Sequence, residues 1–294
     1  MAHFRCPLLS YEKIFIVVKL KSMLYTSQSL LSINRKPLVW ASRKCVIWMD
    51  DRQIQLIKEL SEEAVRLLWE DSFGGKAYGS RHLHRVQRIA EYLWKKEGGD
   101  EFLVLAGAWV HDVALAHGPD YEPERVADLT RQFLIQFRFL QKDEIDGLVA
   151  CAEGHESGGD FLSLEAKLVH DADVLDKGGL LGVVRHIWKM TNMLERRILE
   201  DEQDLEKLEN HLVARQDRLY TNTAIRLANY LRGSLDDFFR ERRFALETMI
   251  WISQQSAQDI ISDKIAETLA SRNDHSCMGG LKSQLELDYF PAVI

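Results

Sequence analysis

The sequence predicts an all-α protein, a helical bundle built around a central metal site. Three observations carry this. From residue 50 onward apolar residues recur three and four apart, as in Ile54, Ile57, Leu60, Ala64, Leu67 and Leu68. No proline occurs between Pro123 and Pro291, whereas a turn-rich β fold places proline freely. Histidines and acids also gather at the ends of these patterns: His82 and His84, His111-Asp112, His155, and the cluster Asp171, Asp173, Asp176.

Taken in order, the pattern places a first helix just after Met49, broken at Gly74-Gly75. A second runs from about Ser80 to Lys96, burying Val86, Ile89, Ala90 and Leu93, and stops at Gly98-Gly99. Phe102 to Ala116 is apolar nearly all round and reads as a central buried helix. Pro119 and Pro123 mark a loop. Further helices are expected over 124–139, 142–153, 164–176 and 178–194. The stretch 195–216 carries seven acids and is expected as a solvated helix. A last apolar-periodic block spans about Thr223 to Ser253, and the pattern after Arg272 is weak. The expected organisation is a basic extension over 1–48, an all-α domain over 49–254, and a C-terminal helix with a loose tail over 255–294.

Composition excludes several classes. A chain of 294 residues, 46% hydrophobic, has ample material for a core and is not disordered through most of its length. Its 4 cysteines, Cys6, Cys45, Cys151 and Cys277, form no CxxC, which excludes a disulfide scaffold and a cysteine zinc site and fits a cytoplasmic protein. The apolar run Ile14–Val18 is cut by Lys19 and Lys21, so no membrane span is expected. Net charge is -7, yet residues 1–48 hold one acid and eight bases, so the rest of the chain is at -14. So acidic a body does not suit nucleic acid, whose phosphates call for clustered Lys and Arg. The basic segment reads as a disordered extension or a stretch upstream of a start at Met49, with a targeting segment and an ordered extension as the other readings.

The chemistry lies in the histidines and acids. A charged pair such as His111-Asp112 at the end of an apolar helix costs several kcal/mol to bury unless it is compensated. A divalent metal is an efficient compensation, and His82, His111, Asp112 and Asp173, each on a helix of an all-α core, would make such a site. Imidazole with carboxylate suits Mn, Fe, Co, Ni or Zn, and Mg where carboxylates dominate. His84 lies about 200° round the helix from His82 and faces elsewhere. Arg85, one turn from His82, fits either a phosphate contact or a salt bridge to a buried acid. His117 reads as a loop residue, and Asp176, one turn after Asp173, could support a ligand from behind. An EF-hand reading of 171–182 fails, because Asp176 stands where glycine is needed and Gly182 where glutamate is needed. No Gly-rich phosphate loop and no G-x-S-x-G is present.

These residues resemble the HD-domain superfamily of metal-dependent phosphohydrolases, in particular its small bacterial and archaeal members. The resemblance rests on His82-Leu83-His84-Arg85-Val86, on His111-Asp112 and on Asp171-Ala172-Asp173-Val174-Leu175-Asp176 in that order. Tyr78-Gly79, Glu165-Ala166-Lys167, Gly179, Gly182, Arg185 and Thr221-Asn222-Thr223-Ala224 extend it over about 53–250. It departs at Lys177, where a small residue is usual, at His170, and in the segments 118–138 and 195–216. The resemblance implies an HD-domain helical bundle with His82, His111, Asp112 and Asp173 on one divalent metal. It implies that His155 lies near the substrate or a second metal and that Arg185 faces phosphate. In catalysis Asp112 or a nearby acid could orient the attacking water, and Lys177, which flanks the acid cluster, could join His155 and Arg185 in offsetting charge on the phosphate. The implied reaction is hydrolysis of a phosphate ester or anhydride of a small molecule, a nucleotide, in the form of a nucleoside triphosphate cleaved to monophosphate and pyrophosphate. The alternatives are a nucleotide-sensing HD domain without catalysis and a di-iron HD oxygenase. A homo-oligomer is compatible with either.

Overall fold

The computed structural model describes residues 49–70, 78–118, 122–157, 162–272, 275–288 and 290. The readings of residues 1–48, of Gly74-Gly75 and of Pro119 fall outside the described residues. Among those described there are twelve α-helices and no strand, in agreement with the all-α expectation. No helix among them is long and apolar enough to cross a membrane.

The first half surrounds one short helix. Asp51–Glu70 forms α1, Tyr78–Glu97 α2 and Glu101–Val110 α3. Asp100 caps α3 by accepting from the Leu103 amide at 3.0 Å. Phe102 and Val104–Val110 are all buried, which follows from an apolar sequence on every face. Pro123–Leu134 forms α4, with proline in the first turn where its missing N–H is harmless. Lys142–Ser157 forms α5 and Leu164–Asp176 α6, the latter capped by Ser163. Helices α1, α2, α5 and α6 pack around α3.

The second half is built on α7, Gly179–Lys189, which continues into a π-helical turn over Met190–Leu194. Around it lie α8 (Glu202–Gln216), α9 (Asn222–Arg240), α10 (Arg242–Ser256), α11 (Ser262–Ala270) and α12 (Met278–Glu286). Trp188, Leu208, Phe238, Met249, Leu269 and Leu281 share its core. The turn from α6 into α7 is tight. Gly179 has φ +52°, and a Cβ on Gly182 would stand 2.2 Å from the Lys177 carbonyl oxygen, so any side chain there would displace the turn.

Four elements differ from expectation. The stretch 124–139 is helical only to Leu134; tight turns follow, with Ile135 and Phe139 left exposed. The acidic stretch 195–216 is not a solvated helix throughout: α8 starts at Glu202 and buries Leu205, Leu208 and Leu212. Each fully buried leucine contributes about 2 kcal/mol, enough to dock a helix whose other face is charged. The block 223–253 is two helices, broken between Arg240 and Arg242. The chain after Arg272 is not loose throughout, because α12 buries Met278 and Leu281, and Gln284 bonds Leu181 N and Gly178 O.

Candidate metal centre

Four helix ends bring the predicted residues together. His82 comes from the second turn of α2, His111 and Asp112 from the end of α3, and Asp173 from α6. All four side chains are buried, none more than 3% exposed. His155, on the last turn of α5, joins them, because α5 runs past the expected end at residue 153.

Each imidazole is held by its Nδ1. His111 Nδ1 bonds Ala108 O at 2.9 Å and His155 Nδ1 bonds Ala152 O at 2.5 Å. A carbonyl can only accept, so in both rings Nδ1 carries the proton. His82 Nδ1 bonds the Asp176 carboxylate at 2.6 Å. The Nε2 atoms are thereby turned toward one region. His82 Nε2 lies 3.0 Å from Asp173 Oδ1 and 3.4 Å from Asp112 Oδ2. His111 Nε2 lies 3.4 Å from Asp112 Oδ1 and 3.6 Å from Asp173 Oδ1, and His155 Nε2 lies 3.4 Å from Asp112 Oδ1.

This set fits a metal ion. The nearest donor atoms of His82, His111 and Asp173 all lie within 4.8 Å of one another. Bonds of about 2.1 Å place ligand atoms about 3.0–3.4 Å apart. His82 Nε2, His111 Nε2, Asp112 Oδ1 and Asp173 Oδ1 are buried and make no hydrogen bond of ordinary geometry. Buried polar atoms are costly unless something satisfies them. Imidazole nitrogens and carboxylate oxygens suit a borderline divalent cation.

Electrostatics favour ionised carboxylates. Burial pushes Asp112 and Asp173 up, but the positive field outweighs it and holds both well below the usual carboxylate range. That field comes from His111 and Lys177 at Asp112 and chiefly from Lys177 at Asp173. Lys177 Nζ sits 2.7 Å from Asp173 Oδ2, and Arg215 approaches the same oxygen at 3.7 Å.

The acid cluster separates by function. Asp173 faces the centre. Asp171 turns away and accepts from the Tyr220 and Thr221 amides and the Thr221 hydroxyl, which fixes the start of α9. Asp176 stands behind His82. Arg85 and Arg185 both donate to Asp176, at 2.5 and 2.7 Å. The structure therefore gives Arg85 a salt bridge rather than a phosphate contact, and it pairs Arg185 with a buried acid. His84 is exposed against Trp109, and His117 is exposed in the short turn after α3.

Sequence reasoning missed the far wall. His186 of α7 and His211 of α8 stack with ring centroids 3.7 Å apart, beside Lys189 and Arg215. No spacing signals this, because the pairing depends on how α8 folds back against α7. Burial first, then His211, Lys189 and Arg215, push the His186 imidazole down to about 3. The unfolded ring titrates near ~6.5. Between those values the unfolded chain binds the proton and the folded chain does not. Stability is thus expected to fall with acidification below about 6.5, by up to ~1.4 kcal/mol per pH unit from this group. Urea unfolding at stepped pH should show that slope flattened in His186→Phe; parallel profiles would refute it.

Residues 79–178 match the family model described as HD domain. The uncharacterised protein YpgQ of Bacillus subtilis is 27% identical over 195 residues, covering 63% of this chain and 94% of its own. A crystal structure of YpgQ in complex with ADP aligns at 23% identity and TM-score 0.47, covering 71% of this chain and 97% of that one. A protein structure from Lactobacillus plantarum aligns at 26% identity and TM-score 0.50, covering 67% and 99%. The Lin1889 protein of Listeria innocua aligns at 20% identity and TM-score 0.51, covering 68% and 98%. The matched segment encloses His82, His111, Asp112 and Asp173, so residues 79–178 of this chain form an HD domain.

Proposed function

We propose that this protein is a metal-dependent phosphohydrolase acting on a nucleotide, with a nucleoside triphosphate cleaved to monophosphate and pyrophosphate as the preferred reaction. One observation carries the reading: the buried donor set borders a cationic cavity of about 410 Å³. His155, whose Nε2 lies 3.4 Å from Asp112 Oδ1, connects the two. The cavity wall includes Lys189, Lys207, Arg215 and Arg218 against a single acid, Glu195. Val174, Met190 and Leu194 supply an apolar side suited to a base or sugar. A phosphate chain carries several negative charges, and such a wall favours it over a neutral ligand. YpgQ, the Bacillus subtilis relative, has been described in complex with ADP.

His82, His111, Asp112 and Asp173 would hold a divalent ion, which supplies Lewis acidity toward a phosphoryl oxygen and toward water. The other roles belong to the chain. Asp112, in reach of three histidines, orients the attacking water. His155 lines the cavity beside Asp112 and offsets charge on the phosphoryl group. Lys177 does the same from the Asp173 side. Arg185 acts from behind, by holding Asp176 against His82. Positioning and charge stabilisation of this kind suffice for phosphoryl transfer.

The test is a hydrolysis screen. Protein with Mn, Co, Ni or Mg meets nucleoside mono-, di- and triphosphates, with phosphate and pyrophosphate assayed separately. Pyrophosphate release is expected. Lys189→Ala and Arg215→Ala should each raise KM for the triphosphate about tenfold, an effect of ~1.4 kcal/mol, with a smaller change in kcat. Metal-loaded protein that binds nucleotide without turnover would instead be a sensor. About two iron ions per chain without hydrolysis would favour the oxygenase.

A further inference from the structure

The chain beyond the matched residues 79–178 also reaches the metal centre. Asp263, in the first turn of α11, is buried at 2% exposure. Its Oδ1 accepts from Arg85 Nη1. Arg85 Nε donates to Asp176 Oδ1 at 2.5 Å, and Asp176 Oδ2 bonds His82 Nδ1 at 2.6 Å. A continuous file of four buried side chains thus runs from α11 to the ring whose Nε2 faces the site. We propose that Asp263 is a positioning residue for the metal centre: by holding one arm of the Arg85 guanidinium it fixes how Asp176 engages His82.

Charge and geometry both support this. The cluster contains two acids, Asp176 and Asp263, and two arginines, Arg85 and Arg185, and so balances. Arg85 spans both acids with separate arms of one planar fork, which fixes its orientation. Its Nη2 already lies 3.3 Å from Asp176 Oδ2, the oxygen that His82 uses. Without Asp263, the remaining buried carboxylate within reach of Arg85 is Asp176. The fork then closes on Asp176 with two arms and competes with His82 for Oδ2. Loss of that bond frees the His82 ring to turn and to exchange its protonated nitrogen. A second link between α11 and α2, Arg81 to Glu267, is half exposed and contributes little. It serves as the control.

The inference rests on His82 being a metal ligand, as in the proposed function, and its test separates the two. Full-length Asp263→Asn keeps the side-chain shape and removes the charge. Two quantities are read: the ring ¹⁵N signals of His82 in metal-free protein, and Mn²⁺ affinity by calorimetry. Asp263→Asn is expected to weaken Mn²⁺ binding roughly 10–100-fold and to move His82 from an Nδ1-protonated pattern to a mixture. Glu267→Gln should leave both unchanged. Arg85→Lys, which cannot span both acids, should reproduce the Asp263→Asn result and decides the matter if that variant does not fold. A lower melting temperature with unchanged affinity and ring pattern would reduce Asp263 to a packing role and overturn the proposal. Wild-type protein that binds no Mn²⁺ would overturn the metal reading, and the ring pattern alone would then judge Asp263.

Discussion

Asp112→Asn is expected to lower kcat for nucleoside triphosphate hydrolysis on the order of 10³-fold or more while leaving the fold intact. Asparagine keeps the shape of the side chain, so the helix end and its packing persist. What is lost is the charge that three imidazoles face, since His82, His111 and His155 each place Nε2 3.4 Å from an Asp112 oxygen. An amide is a poor ligand for a borderline cation beside histidines, and it carries no charge to orient a water. His111→Ala should match it, because His111 Nε2 approaches both Asp112 and Asp173. Turnover and metal content measured on the same preparations separate the outcomes. Loss of both supports ligation. Loss of turnover with full metal content would restrict Asp112 to handling the water. Unchanged turnover would remove it from the site and sink the hydrolase mechanism given above. Nucleotide binding that survives in both variants would place recognition in the cationic cavity, apart from the metal centre.

How much of this could be read beforehand depends on the residue. His111-Asp112 was legible because a charged pair closing an apolar helix demands compensation wherever the helix lies. His82 and Asp173 were legible through the family pattern, and the fold follows, since α3 must be central if every face is apolar. The roles of Arg85 and Arg185 were not legible. An arginine near a site serves phosphate or a buried acid according to which acid packs opposite, and that is settled by the contact of α2, α6 and α7. Asp263 gave no signal, because it follows Asp176 by most of the second half and sits in an ordinary helical turn. In the stretch 195–216 seven acids outweigh six apolar residues in the sequence, yet three leucines one turn apart, Leu205, Leu208 and Leu212, suffice to dock α8.

Asp176→Ala is expected to destabilise the metal-free protein by about 3–5 kcal/mol, the usual result of stripping one partner from a buried ion pair. The native residue is 2% exposed and holds Arg85 at 7% and Arg185 at 3%. Removing it takes from both buried guanidiniums the carboxylate they share and takes from His82 Nδ1 its acceptor. Exposed pairs give the scale for comparison. Arg66 with Glu63 lies on the surface of α1 and contributes well under ~1 kcal/mol, so Glu63→Ala is the control. A dependence on pH identifies the cause. Burial pushes Asp176 up, but Arg85 first and then Arg185 and His82 hold its carboxyl far below the ordinary value near ~3.9. The charged form is therefore the one the fold stabilises. Its contribution is complete above pH ~4 and is lost as pH falls, because the unfolded chain takes up the proton first. Urea unfolding should show a wide gap between wild type and Asp176→Ala at neutral pH that narrows steadily below pH ~4. A gap that stays constant into acid would mean the loss came from a cavity rather than from charge. A gap under ~1 kcal/mol at neutral pH would mean that solvent reaches the arginines, and the file from Asp263 to His82 would then have no rigid middle.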